Sequence, residues 1–174
     1  MNEVLTATIG LFFGSFLATC VERIPRQKPI ISRPLGCSAS TQRIIIIAIL
    51  TALLFCFSLF MTDSIIDFLR TVVFISFAIV ISFIDYDWQL IFDNVLRFMV
   101  VVALIFASYQ QNIMDALLAS FLGFTILFVI WLVSRGRIGW GDVKLAGVSG
   151  LWFDCPTLLI GLFLSFMLAG LLAT

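Results

Sequence analysis

Two short acidic motifs carry the residue types that could do chemistry. Ile84-Asp85-Tyr86-Asp87 closes one apolar run, and Gly139-Trp140-Gly141-Asp142-Val143-Lys144 joins two others. The chain contains no His, which removes the commonest general base and metal ligand. Chemistry must therefore come from carboxylates, Ser, Cys, Lys, Tyr or backbone groups. An acid beside a membrane span is costly unless it has a partner or a task. Two carboxylates brought close in a partly dehydrated site share a proton and titrate as a unit. The ionised one can draw a proton from water while the protonated one donates to a carbonyl oxygen, which is amide hydrolysis without a metal or a covalent intermediate. Asp85 and Asp142 are the expected pair, with Asp87 beside the first. Gly139 and Gly141 would let a substrate strand approach the backbone and would permit φ > 0. Lys144 could bias the charge of the pair or anchor the chain at an anionic leaflet. On residue types alone, a structural or transport role for the acids fits equally well.

The elements that must position these residues follow from composition. Of 174 residues, 62% are hydrophobic and only 11% charged, where a soluble domain would carry about a quarter. The expected fold is an all-α polytopic membrane protein, one integral domain over 1–174, with room for about six spans of roughly 20 residues and no separate soluble domain. The spans are expected near 4–21, 44–61, 71–84, 95–109, 116–134 and 157–174. The apolar piece 145–153 is too short to cross and reads as re-entrant or interfacial. The first run starts too near Met1 for a basic n-region and no small-residue cleavage site follows it, so it reads as a span and not a signal peptide. Gly10 and Gly14, four apart, share a helix face and suit close packing of a neighbouring helix. The third run is the shortest. Its 14 uncharged residues, 71–84, reach roughly 21 Å at 1.5 Å per residue, less than a hydrocarbon core of roughly 30 Å. Arg70 can snorkel outward, but Asp85 has a shorter reach and should lie at or inside the membrane boundary. That separates it from Asp87 and from Asp93, which reads as a helix N-cap. Cys20, Cys37, Cys56 and Cys155 are scattered with no Cys-x-x-Cys pair and read as small hydrophobes.

Charge orients the chain. Six spans place loops at about 22–43, 85–94 and 135–144 on one side. Arg23, Arg26, Lys28, Arg33, Arg43, Arg97, Arg135, Arg137 and Lys144 fall in or beside those loops, nine of the ten basic residues, and Arg70 alone falls on the other side. This is a positive-inside pattern, so Asp85 and Asp142 are expected to emerge together on the cytoplasmic face.

These residues resemble a known family, the type IV prepilin peptidases, intramembrane aspartic proteases of the Gly-x-Gly-Asp class. Gly14-Ser15-Phe16-Leu17 followed by Arg23-Ile24-Pro25 is similar to the family's first span and its exit. Ser32-Arg33-Pro34-Leu35-Gly36-Cys37 resembles a remnant of its Ser-Arg-Cys-Pro-x-Cys element. The segment Ile84 to Asp93 is similar to the one around the family's first catalytic acid, and Gly139 to Leu145 to the one around the second. The resemblance implies Asp85 and Asp142 as the catalytic acids. It implies cleavage of the basic leader from a prepilin or pseudopilin at the cytoplasmic face of the bacterial inner membrane. The partners it implies are that substrate helix and membrane lipid, with no nucleic acid.

Departures from the family pattern narrow the expectation. The loop holds one Cys where members often have two Cys-x-x-Cys pairs, so no zinc site is expected. Ala18 replaces the Asn that commonly follows Gly-Ser-Phe-Leu, which argues against N-methylation with S-adenosylmethionine; no cofactor is expected. Arg137 stands where the longer motif has its first Gly, and Phe92 where a Pro is usual. The sequence also stops one or two spans earlier than typical members, which fits either a short form or a chain whose C-terminal segment lies beyond it. The alternatives are another Gly-x-Gly-Asp protease of presenilin or preflagellin type, a non-catalytic membrane component of a pilus or secretion system, and a small proton-coupled transporter. The last predicts acids deep in several helices, and the first, second, fifth and sixth apolar runs carry none.

Overall fold

A computed structural model describes residues 3–25, 41–62, 64–110, 112–135 and 137–172. All regular structure among them is helical: α1 (Glu3–Arg23), α2 (Thr41–Met61), α3 (Ile65–Trp88), α4 (Asp93–Tyr109), α5 (Ile113–Val133), α6 (Trp140–Gly150) and α7 (Cys155–Leu172). The remnant motif around Cys37, with Arg26, Lys28 and Arg33, lies outside the described residues. Three helices are long and apolar enough to cross a membrane, over Gln42–Met61, Ile65–Trp88 and Ile113–Val133, and a shorter apolar helix covers Cys155–Leu171. The chain packs as two compact units, residues 1–91 and 92–174.

In the first unit α1, α2 and α3 pack on one another. A stripe of small residues lets α1 and α2 meet backbone to backbone. A Cβ on Gly10 would stand 2.7 Å from the Ala52 Cα, and one on Gly14 would stand 2.6 Å from the Ala48 Cα. Two four-residue spacings thus face each other, and the packing expected of Gly10 and Gly14 is what they do. Phe55, Ile47 and Val21 fill the space alongside. Hydroxyls here are satisfied within their own helices, Thr51 donating to the Ile47 carbonyl at 2.7 Å and Ser76 to that of Val72 at 2.7 Å, as backbone and side-chain polar groups in an apolar medium require.

α3 is longer than its uncharged run. Its 24 residues reach about 36 Å, enough to cross. Asp67 and Arg70, which precede the uncharged run 71–84, lie within the helix, which starts after the N-cap Ser64, whose hydroxyl accepts from the Ile66 N–H at 3.3 Å. At the other end Asp85 and Asp87 are also helical, not in a loop. The hydrogen-bond ladder continues through them because the polar side chains point outward, and it stops where Gln89 turns left-handed (φ 50°) and donates to the Asp85 carbonyl at 2.8 Å.

The second unit is built on α5. A Cβ on Gly123 would stand 2.7 Å from the Ala146 carbonyl oxygen, and one on Gly150 would stand 2.5 Å from the Ala119 carbonyl. α6 is thus laid directly on the α5 backbone, and Leu127, Val143 and Ala146 close the core, backed by Leu162 of α7. α6 has 11 residues, roughly 16 Å, too short to span. It begins at Trp140, so Asp142 and Lys144, placed by sequence in a loop, are helical. α7 opens at Cys155 with Pro156 in its first turn, where a missing N–H costs nothing, and Asp154 accepts from the Thr157 hydroxyl at 2.7 Å.

Candidate active site

Each unit carries one of the two expected acids at a helix end. In the first unit Asp85 sits in the last turn of α3. Ile84 beside it is 2% exposed, while Asp85 and Tyr86 are exposed. Asp87 lies two residues on, roughly 200° around the helix, and its carboxylate accepts a charge-assisted hydrogen bond from Arg43 in the first turn of α2. Asp87 is therefore tied to a neighbouring helix. The Asp85 carboxylate makes no hydrogen bond or ion pair with the described residues of its own unit. The residue types could not show this division, because Arg43 sits 44 positions away from its partner.

In the second unit Asp142 is the third residue of α6, in the first turn, where a negative charge faces the positive end of the helix dipole. Its N–H donates to the Gly139 carbonyl at 3.1 Å. Gly139 is the N-cap, with φ −63° and ψ 137°. A Cβ there would stand 3.1 Å from Oδ2 of Asp142. The glycine thus leaves open the side over which the carboxylate folds, and does not supply the positive φ that sequence suggested. Gly141, inside the first turn, adopts a helical conformation as well.

What fixes this turn in space is aromatic. Phe124, Phe128 and Trp131, at i, i+4 and i+7 along α5, form a stacked ladder, and the Trp140 indole packs edge-on against all three, closest to Trp131 at 5.2 Å between centroids. Such pairs contribute roughly 0.5–1.5 kcal/mol each beyond area burial. Val143, fully buried, anchors the next residue after Asp142. The aromatic spacing was readable in the sequence, but only the fold shows that it grips the start of α6.

Lys144 is ion-paired. Its ammonium donates to the Asp93 carboxylate at 2.7 Å. Asp93 correspondingly departs from the N-cap expectation. The cap of α4 is Phe92, without a side-chain hydrogen bond, and Asp93 occupies the first turn with its carboxylate turned to α6. The two units share a local pattern. In each, the residue two beyond the expected acid is held to another helix by an ion pair, Asp87 by Arg43 and Lys144 by Asp93. No three His, Cys, Asp or Glu side chains converge as a metal-ligand set among the described residues.

Comparison with family models gives a match to the type IV leader peptidase family over residues 72–174, more than half the chain and inclusive of Asp85 and Asp142. The chain belongs to the type IV leader peptidase family. It is a leader-peptidase-like protease, and its apolar helices make it a membrane protein. No curated protein and no solved structure matches it. Within the span shared with the leader peptidases lie α4 to α7 and nearly all of α3 beyond its first two turns; α1 and α2, with their packed glycine stripe, precede it.

Proposed function

We propose that this protein is a prepilin leader peptidase in which Asp85 and Asp142 act together on water. The observation that carries the reading is the Asp142 turn, a carboxylate in the first turn of α6, seated over the bare Cα of Gly139 and steadied by the Trp140 cluster. In this reading six helices cross the bacterial inner membrane, α1, α2, α3, α4, α5 and α7, with α6 re-entrant or interfacial at the cytoplasmic face. α4, at 17 residues, would extend about 26 Å, close to a bilayer core.

The helix ends divide the work. α6 presents its N-terminus to Asp142 and favours a negative charge there, whereas Asp85 sits at the C-terminal end of α3, where a negative charge is disfavoured. One of the two acids takes the proton from water while the other donates to the carbonyl oxygen of the scissile amide. The substrate is the basic leader and following apolar helix of a prepilin or pseudopilin. Arg43 supports the assignment of Asp85 over Asp87, because it already occupies the Asp87 carboxylate. No metal and no cofactor take part in this proposal. The chain has no His, and Ala18, where methylating members carry Asn, is a buried apolar residue of α1.

The test is cleavage of a purified prepilin in liposomes by the wild type, Asp85→Asn and Asp142→Asn, with mass spectrometry of the product N-terminus. Cleavage by the wild type alone, just before the apolar helix and without an added methyl group, is expected. Cleavage by either variant at the wild-type rate removes that acid from the mechanism.

A further inference from the structure

An open groove of about 1040 Å³ runs between α4, α5 and α6 of the second unit. Its walls are apolar, with Val101 and Leu104 from α4, Leu117 and Phe121 from α5 and Leu151 from α6. Its mouth is charged, formed by Asp93, Arg97 and Lys144. Two cations and one carboxylate leave that mouth with one net positive charge. The donors there are not exhausted by their intramolecular bonds. Lys144 gives one hydrogen bond to Asp93 and Arg97 one to Asn94, whereas an ammonium has three donors and a guanidinium five.

An apolar trough with a cationic mouth matches an amphiphile whose anionic head adjoins an acyl chain. Basic pockets between membrane helices on the cytoplasmic side bind anionic headgroups in this way. The groove is poorly placed for the scissile end of a substrate. On α6 it is lined by Lys144, Gly147, Val148 and Leu151, and Asp142 lies roughly 200° around the helix from Lys144, on the other side. We infer that the α4–α5–α6 groove is a binding site for an anionic phospholipid, the acyl chain along Val101, Leu117 and Phe121 and the phosphate at Arg97 and Lys144. This goes beyond the peptidase reading and does not rest on it.

The experiment is native mass spectrometry of the delipidated full chain in detergent, titrated with phosphatidylglycerol or phosphatidylcholine of identical acyl chains. The wild type is expected to show one saturable site preferring phosphatidylglycerol by about five-fold or more, the effect of one unscreened cation at a headgroup. Arg97→Gln should bring the two lipids close to parity. Val101→Trp fills the trough from an exposed wall position, without entering a core, and should lower the occupancy of both lipids while the melting curve stays put. Asp142→Asn, which the peptidase reading makes inactive, should bind lipid as the wild type does, so failure of one reading is distinguishable from failure of the other. Equal affinity of the wild type for both lipids would overturn the inference, as would undiminished binding by Val101→Trp. So would displacement of the lipid by a prepilin peptide containing its apolar helix, which would assign the groove to substrate.

Discussion

The end of α3 and the start of α6 present the same functional group in opposite settings. Asp85 stands in the last turn of a membrane-length helix, exposed, with its own carbonyl closing the helix through Gln89. Asp142 stands in the first turn of an 11-residue helix that is pressed onto the α5 backbone and held at Trp140 by three aromatic side chains of α5. One acid projects from a terminus and is distinguished from its neighbour Asp87 by what Arg43 does. The other is built into its turn. The difference teaches that a pair of aspartates can be made unequal by helix polarity and by how firmly each is seated, before either meets a substrate.

Neutralising either acid should produce the largest effect and tests that inequality directly. Asp85→Asn and Asp142→Asn are each expected to lower prepilin cleavage by about 10²–10⁴-fold or more. Their stabilities should separate. Asp142→Asn gives up a favourable charge–dipole interaction of roughly 0.3–1 kcal/mol, and Asp85→Asn relieves an unfavourable one. Thermal melting should therefore fall slightly for the first and hold or rise for the second. Equal shifts in both would break the comparison.

Gly139→Ala sharpens it at the better-seated acid. The backbone at Gly139, φ −63° and ψ 137°, is open to any residue, so strain is not at issue. The new methyl would stand 3.1 Å from Oδ2 of Asp142 and push the carboxylate off its seat. Misplacement by an ångström or less costs up to about 10²-fold in rate, so kcat is expected to fall about 10- to 100-fold. The loss of stability should stay near 1 kcal/mol or less, the scale of a poorer N-cap.

The seat itself depends on helix packing, which predicts an effect on stability. Gly150→Ala places a methyl 2.5 Å from the Ala119 carbonyl, and Gly14→Ala places one 2.6 Å from the Ala48 Cα. Each should cost about 1–3 kcal/mol by overpacking, read as a lower melting temperature of the purified protein. Gly161→Ala meets nothing within 4 Å and should leave stability unchanged. A loss at Gly150 but not at Gly14 would mean that α1 and α2 tolerate separation while α5 and α6 do not.

Much of this was readable in advance, for definite reasons. Hydropathy located every apolar helix because burial in lipid demands long apolar runs, and Gly10 and Gly14 declared their contact because small residues four apart have little other use on a span. Helix ends were misplaced wherever charge was taken as a stop signal. Asp67, Arg70, Asp85 and Asp87 all lie within α3, since a polar side chain at a helix end can face outward while the backbone ladder continues. Of α6 only the apolar part was read, as a short re-entrant or interfacial piece over 145–153, because its polar first turn looked like loop. Type and spacing singled out Asp85 and Asp142 as candidates. Their cross-helix partners were not, because Arg43–Asp87 and Asp93–Lys144 join residues 44 and 51 positions apart, and no local pattern encodes such pairs.

Those ion pairs supply the smallest prediction. Arg43 and Asp87 are partly exposed, with side-chain exposures of 30% and 23%, and an exposed pair contributes about 1 kcal/mol or less. Arg43→Gln, Asp87→Asn and the double variant should give melting shifts whose coupling lies within that bound, since residues in contact are not additive, and raised salt should shrink it. Cleavage should fall only a few-fold in each, because the pair steadies the end of α3 without touching the reacting atoms. The double variant should be no worse than the singles. The ranking of Asp85 over Asp87 depends on that result. If Asp87→Asn were as inactive as Asp85→Asn while Arg43→Gln remained active, the Asp87 carboxylate would be at work in its own right. The anchored acid of α3 would then be the reactive one, and Asp85 would be the residue left without a task.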